Sequence, residues 1–351
     1  MATWGEVASE LNAAQQGGDN NALDTVRRKH LAALAAHTGR DTILYASRFV
    51  QPGSHNPEVE SINDEDIHAL LEVLDGLSSR KLDIVLHSPG GSAEATESIV
   101  SLLRKRYTNI RVIVPHMAMS AATMWACAAD TIVMGPQSSL GPVDPQMRVV
   151  LGEGALGMVP AQAILDQFEM ARREASKPGG LSAWVPILRQ YGPALLVQCQ
   201  DALDLSEELV KIWLREYMLA GTKYAARDAR RIAGTLSDHG WSLSHGRHID
   251  RDTARRLGGG HVGLKVDNLE KDAPFEAETM GVFNATMHVF SALPHVAKIV
   301  ENHKGRAFVK IHGVVPIVRG MPPPRPPGAA PNPALPATPP PPPPGFPAAP
   351  P

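Results

Sequence analysis

An α/β fold with a parallel sheet is predicted by three observations, all within the stretch Leu82–Gln146. Short apolar runs at Leu82–His87, Ile110–Pro115 and Thr131–Met134 read as strands. Runs with helical spacing, Ser92–Arg106 and Ser120–Ala129, separate them, so the chain alternates strand and helix as βαβ units do. The turns that leave the first two strands are unusual: Ser88-Pro89-Gly90-Gly91 and Met117-Ala118-Met119-Ser120-Ala121. In parallel sheets ligands gather at such strand-to-helix turns.

The flanking elements follow in order. Met1–Asn20 is polar and reads as a frayed terminus. Asn21–His37 places Leu23, Val26, His30, Leu31 and Leu34 at helical spacing, with Arg27, Arg28 and Lys29 on the wet side. Thr42–Ser47 is a strand, and Gln51–Pro57 a Pro/Gly/Asn loop. Asn63 caps a helix whose first turn holds Asp64, Glu65 and Asp66, where the helix dipole favours anions.

Beyond the central stretch, the glycine-rich Val149–Met158 lacks a period and reads as a mobile loop. Pro160–Ala175 is a helix stopped by Ser176-Lys177-Pro178-Gly179-Gly180. Leu181–Gln200 reads as helical pieces broken by proline. Ser206–Leu219 reads as an amphipathic helix capped by Ser206, and Lys223–Leu236 as a polar, Arg-rich one. Asp250 caps a short helix that Gly258 stops. Gly281–Ser291 and His295–Asn302 are read as helices and Ala307–Ile311 as a strand. From Met321 the chain is so rich in proline that it favours extended polyproline II and cannot join a core. The predicted layout is a flexible 1–24, one domain over 25–320, and a disordered tail over 321–351 that offers a ligand for a proline-recognising domain.

Composition narrows the function. A formal charge of −2 over 351 residues leaves no electrostatic footprint for nucleic acid. Two cysteines, Cys127 and Cys199, match neither a disulfide framework nor a metal spacing. Neither a metal ligand set nor a nucleotide loop is read, so no cofactor is expected. The absence of a long apolar run and of a secretory leader predicts a soluble, cytoplasmic protein.

The two turns carry the chemistry. Paired glycines let a backbone approach a ligand closely and leave amide N–H groups facing outwards. A serine where strand becomes helix stands exposed beside the positive end of the helix dipole. Together they suit a serine nucleophile, Ser120, beside an oxyanion hole built from the Gly90, Gly91 and Ala121 amides. A tight turn and an ordinary helix cap explain the same residues.

Resemblance separates these readings. SPGGS, MSAATM and AADTIVMGPQSSLGPVDPQ, in that order, resemble the Clp/crotonase superfamily, and within it the serine dehydrogenase proteinase family, relatives of signal peptide peptidase A. Further blocks over roughly residues 25–310 resemble that family: Asp41–Ser47, Ser61–Asp66, Val159–Phe168, Ile187–Gln198, Glu208–Leu214, Ser244–Ile249 and Lys298–Phe308. The resemblance implies a Clp/crotonase-like spiral of βαβ units with appended helices, a serine endopeptidase activity and a homo-oligomer. It also implies a peptide or protein substrate that pairs as a strand along Gly91–Glu94.

The base departs from the Clp pattern. Val143 stands where the Clp-type histidine would be, with Asp144-Pro145 next. Signal peptide peptidases use a serine–lysine dyad instead, and Lys177 in ASKPGG resembles the segment that carries their lysine, with Lys211 in ELVKIWL as the rival. A lysine can act so only when burial lowers its pKa. His116, Asp144, His245, Arg247 and His248 are further candidates to line the site. In the SHGR block, His245 and its neighbours are candidates for a carboxylate contact or an alternative base. GGHVG at Gly259–Gly263 looks inserted relative to the family. Two other functions fit the same fold: an oligomeric scaffold without a competent base, and a crotonase-like acyl-CoA enzyme that needs no serine.

Overall fold

The computed structural model describes residues 2–53, 55–150, 156–259 and 262–312. The proline-rich segment, Leu151–Ala155 and part of GGHVG lie outside these residues. A seven-stranded sheet forms the centre. Its strands are β1 (Asp41–Ser47), β2 (Lys81–His87), β3 (Asn109–Val114), β4 (Thr131–Met134), β5 (Val266–Asn268), β6 (Val296–Asn302) and β7 (Ala307–Ile311), in the order β7-β6-β1-β2-β3-β4-β5. Strands β1 to β5 run parallel, while β6 is antiparallel to both β1 and β7.

Both faces of the sheet are covered at its centre, so β1, β2, β4 and β6 are buried along nearly their whole length, as covered strands must be. The period of two sorts their side chains. Ile43, Tyr45, Ile84, Leu86, Val112 and Val114 face one layer, with the helices Asp66–Leu74, Ala93–Arg106 and Ala121–Cys127. Leu44, Ala46, Val85, Ile113 and Val133 face the other, with Ala22–Thr38 and Ala273–Ala292. Trp125 is buried edge-on to Tyr45, ring centroids 5.2 Å apart. Burying one such side chain contributes about 1.5–3 kcal/mol, enough to hold the short helix after Ser120 down on the sheet. This three-layer spiral of βαβ units is the fold that the sequence predicts.

Four elements differ from expectation. The amino-terminal segment is not frayed: Trp4–Gln16 is a helix closed by a Thr3/Glu6 capping box, and Val7 and Leu11 pack against Val26 and Ala285. Its apolar stripe is only two residues wide, hidden among alanines and glutamines. The described residues of Val149–Met158 are strands, Gln146–Val150 paired antiparallel with Leu156–Pro160, while 151–155 lie outside the described residues. Ser206 caps nothing; it is buried inside one helix, Leu195–Trp213, that continues as a π turn over Leu214–Met218. The stretch read as a helix at His295–Asn302 is strand β6, every residue of which is buried. Its charged residues, Lys298 and Glu301, are three positions apart as on a helix face, and both are paired inside the protein.

Candidate active site

At the carboxyl edge of the sheet the chain lays down a second, short-stranded layer. Ile62 pairs with Gly91, Ser88 with Ala118, Met117–Ala118 with Ser139–Leu140, and Leu140 with Ile249. Each partner comes from a different turn, so the layer collects five segments that are remote in sequence. Thr123 fastens two of them: its hydroxyl lies 2.8 Å from Ala118 O and 2.9 Å from Gly141 O, and accepts the Gly141 amide at 3.0 Å.

Ser120 stands at the corner between Met117–Ala118 and the helix that begins at Ala121. Its backbone is at φ 51° and ψ −121°, and among the described residues only Ala194 and Leu243 share a positive φ without being glycine. Such a conformation costs about 1–3 kcal/mol and is held here by the packing of the turn on both sides. Its consequence is to lift the side chain clear of the sheet. The hydroxyl caps no helix amide and has no hydrogen-bond partner among the described residues. The ordinary-cap reading of Ser120 therefore fails.

Gly90 and Gly91 fit against this corner. They adopt φ 98° and φ 152°. A side chain on Gly90 would meet Met119 O at 2.6 Å and Ser120 Cβ at 2.7 Å, and one on Gly91 would meet Ile62 O at 2.2 Å. Glycine is required at both positions by close backbone approach. Gly90 O accepts from Ile62 N at 2.7 Å and Ser92 N donates to Ile62 O at 2.9 Å, which leaves the Gly91 amide on the opposite side. The amides of Gly91 and Ala121 have no acceptor among the described residues, whereas the Gly90 amide donates to Ser88 Oγ at 3.2 Å. The donor set is thus Gly91 and Ala121, and Gly90 drops out of it. The Gly91–Glu94 edge is also shorter than expected, because Ser92 is already paired and the helix starts at Ala93.

A cavity of about 480 Å³ opens over these groups. Ser120, Ala121 and Gly91 form one wall, and Met124, Met147, Met158 and Leu205 make it largely apolar. His245 lines it too. Its Nδ1 lies 2.6 Å from Oδ1 of Asp144, a buried carboxylate whose other oxygen takes His239 Nδ1 at 3.0 Å. The paired Leu140 and Ile249 draw the loop that carries His245 against the segment that carries Asp144. With Nδ1 engaged, the Nε2 side of His245 carries no bond among the described residues.

The other candidates are placed elsewhere. Lys177 does not line the cavity: its side chain is 63% exposed at the end of Ala161–Ala175 and its ammonium donates to Glu174 at 2.6 Å. Lys211 likewise bonds Glu208 and is absent from the lining. Neither is buried in the way a lysine base requires. Arg247 stacks on Trp241, and His248 meets Ser139 Oγ at 3.1 Å. His116 is stacked at 5.6 Å on His87, behind the turn; burial, then His248, lowers its pKa. His87 is wholly buried and held down to about 3, by burial first and by His116 second. Sequence reasoning did not single out His239. Its one signal is that it lies six residues before His245, on the chain that returns to Asp144.

Ser120 is thus lifted from a strand-to-helix corner of a Clp/crotonase-like fold, beside the Gly91 and Ala121 amides, which have no acceptor among the described residues. In comparison with known proteins, residues 60–177 match the family described as ClpP-like SDH-type serine proteinase. Two uncharacterised proteins of Methanocaldococcus jannaschii are similar to it. MJ0137 is 30% identical over 225 residues, 64% of this chain and 66% of its own length. MJ1495 is 31% identical over 162 residues, 46% of each. The chain thus spans 66% and 46% of the length of these relatives. Among solved structures, a mutant of the 1510-N membrane-bound stomatin-specific protease matches at 15% identity and a TM-score of 0.28, over 60% of this chain and 92% of that one. A second mutant of that protease, in complex with a substrate peptide, matches at the same identity and score, over 64% and 93%. Among the described residues no helix is long and apolar enough to cross a membrane.

Proposed function

We propose that the chain is a serine peptidase in which Ser120 is the nucleophile, His245 its base, and Asp144 the carboxylate that orients His245. The observation that carries this reading is the convergence on one cavity of Ser120, the free Gly91 and Ala121 amides, and a histidine whose Nδ1 is fixed by a buried carboxylate. Asp144 holds the Nδ1–H tautomer, so Nε2 is the nitrogen able to take the serine proton. Attack on a peptide carbonyl would place the developing oxyanion between the two amides, which the fold holds in position before substrate arrives. The imidazolium would then protonate the leaving amine, and water would release the acyl group from Ser120. In this reading the Ser–Lys dyad expected from the family is replaced, and Lys177 and Lys211 are surface residues.

An extended peptide fits between Gly91 and the paired strands Gln146–Val150 and Leu156–Pro160, whose Gln146, Met147 and Met158 face the cavity. The unbonded Ser120 hydroxyl favours one rival, a scaffold that keeps the architecture without chemistry. A fluorophosphonate probe decides between them. Ser120 is labelled in the native protein and Ser120→Ala loses labelling and peptide hydrolysis by at least about 10⁴-fold; a native protein that stays unlabelled supports the scaffold.

A further inference from the structure

Behind the glycine turn lies a buried ion pair that the mechanism above does not use. Lys298, on β6, and Asp66, at the start of Asp66–Leu74, are 1% and 0% exposed. The Lys298 ammonium donates to Asp66 Oδ2 at 2.7 Å, to Oδ1 at 2.8 Å, and to the carbonyl of Ser61 at 2.8 Å. Asp66 Oδ2 also accepts Tyr45 Oη at 2.7 Å and the Asn63 amide at 3.0 Å. Lys310, 3.5 Å from Oδ1, completes the set together with Glu65.

These bonds have a direction. The pair grips residue 61 from one side and residue 63 from the other, and the residue between them is Ile62. Ile62 is the strand partner that clamps Gly90 O and Ser92 N, and its carbonyl is what a Gly91 side chain would strike. No apolar contact could set the position of a two-atom backbone clamp as sharply as charge-assisted hydrogen bonds do. Burying a lysine and an aspartate is costly, and cores usually do without such pairs unless they fix a geometry.

We infer that Lys298 and Asp66 are positioning residues: through Ser61 and Asn63 they hold Ile62 against the glycine turn and so aim the Gly91 amide at the oxyanion. This inference rests on the serine-peptidase reading of Ser120. Burial holds Lys298 down to about 8 against the pull of Asp66.

The test is the rate at which a fluorophosphonate labels Ser120, together with the labelled fraction at the end point. Wild type that is never labelled refutes the peptidase reading itself, separately from this inference. Asp66→Asn/Lys298→Met replaces the pair by neutral groups of similar size, a change that buried pairs often tolerate. It is expected to label to completion but about 10- to 100-fold more slowly, part of the loss seen when an oxyanion donor is removed outright. A purely structural role would lower the labelled fraction and leave the rate of the remainder alone; that result, or an unchanged rate, overturns the inference. If the double variant does not fold, Tyr45→Phe removes one bond to Asp66 and keeps the pair. It is expected to slow labelling about 3-fold, and an unchanged rate would again overturn the inference.

Discussion

In the proposed site, the nucleophile side and the base side are built differently. Ser120, Gly91 and Ala121 act through the backbone: one strained φ, two glycine conformations and two free amides, all set by turns that leave neighbouring parallel strands. Asp144 and His245 act through side chains, separated by 101 positions and joined across the Leu140–Ile249 pairing. A backbone device tolerates almost no change of residue. A side-chain device can be relocated along the chain, provided that some segment returns to the carboxylate. In the proposed site, that difference accounts for a Clp-like arrangement of amides beside Ser120 while Val143 occupies the place of the Clp-type histidine.

The comparison breaks most visibly at Gly91. Gly91→Ala puts a methyl carbon 2.2 Å from Ile62 O and forces the turn open. We expect a loss of about 10²–10³-fold in Ser120 labelling and about 2–4 kcal/mol of stability in chemical denaturation. Normal labelling in this variant would show that the turn does not set the hole.

A smaller effect sharpens the same contrast. His87 ends β2 directly before the glycine turn and stays neutral to about pH 3 in the folded protein. Unfolded, it would take up a proton near pH 6.5. The unfolded chain therefore binds the extra proton between these values, so His87's contribution to stability is complete above pH 6.5 and is lost as pH falls towards 3. The slope is about 1.4 kcal/mol per pH unit within that window. His87→Phe is expected to flatten the acid limb of a stability-versus-pH curve by about that slope, and an unchanged limb would count against it.

How much was legible in the sequence follows this division. Strands β1 to β4, both turns and Ser120 are readable because each is a local pattern: short apolar runs, paired glycines, small residues at a helix start. The burial of the amino-terminal helix is not, since its stripe is only Val7 and Leu11. Strand β6 was misread because Lys298 and Glu301 look solvent-facing until their partners Asp66 and Arg27 are brought in from remote positions. The base is illegible in the sequence for the same reason. A lysine near a helix end resembles the family's segment, but whether it is desolvated depends on tertiary packing. In the sequence His245 is one of several polar residues; its pairing with Asp144 exists only in three dimensions.

Which nitrogen serves Ser120 is tested by one measurement: the fluorophosphonate labelling rate of Ser120 in His245→Ala and in Lys177→Ala, each beside wild type. His245→Ala should slow labelling by about 10³-fold or more, as loss of a general base does, while Lys177→Ala stays within about twofold, as expected for an exposed lysine paired on the surface. The reverse result, with His245→Ala labelled at the wild-type rate and Lys177→Ala inert, would contradict the account.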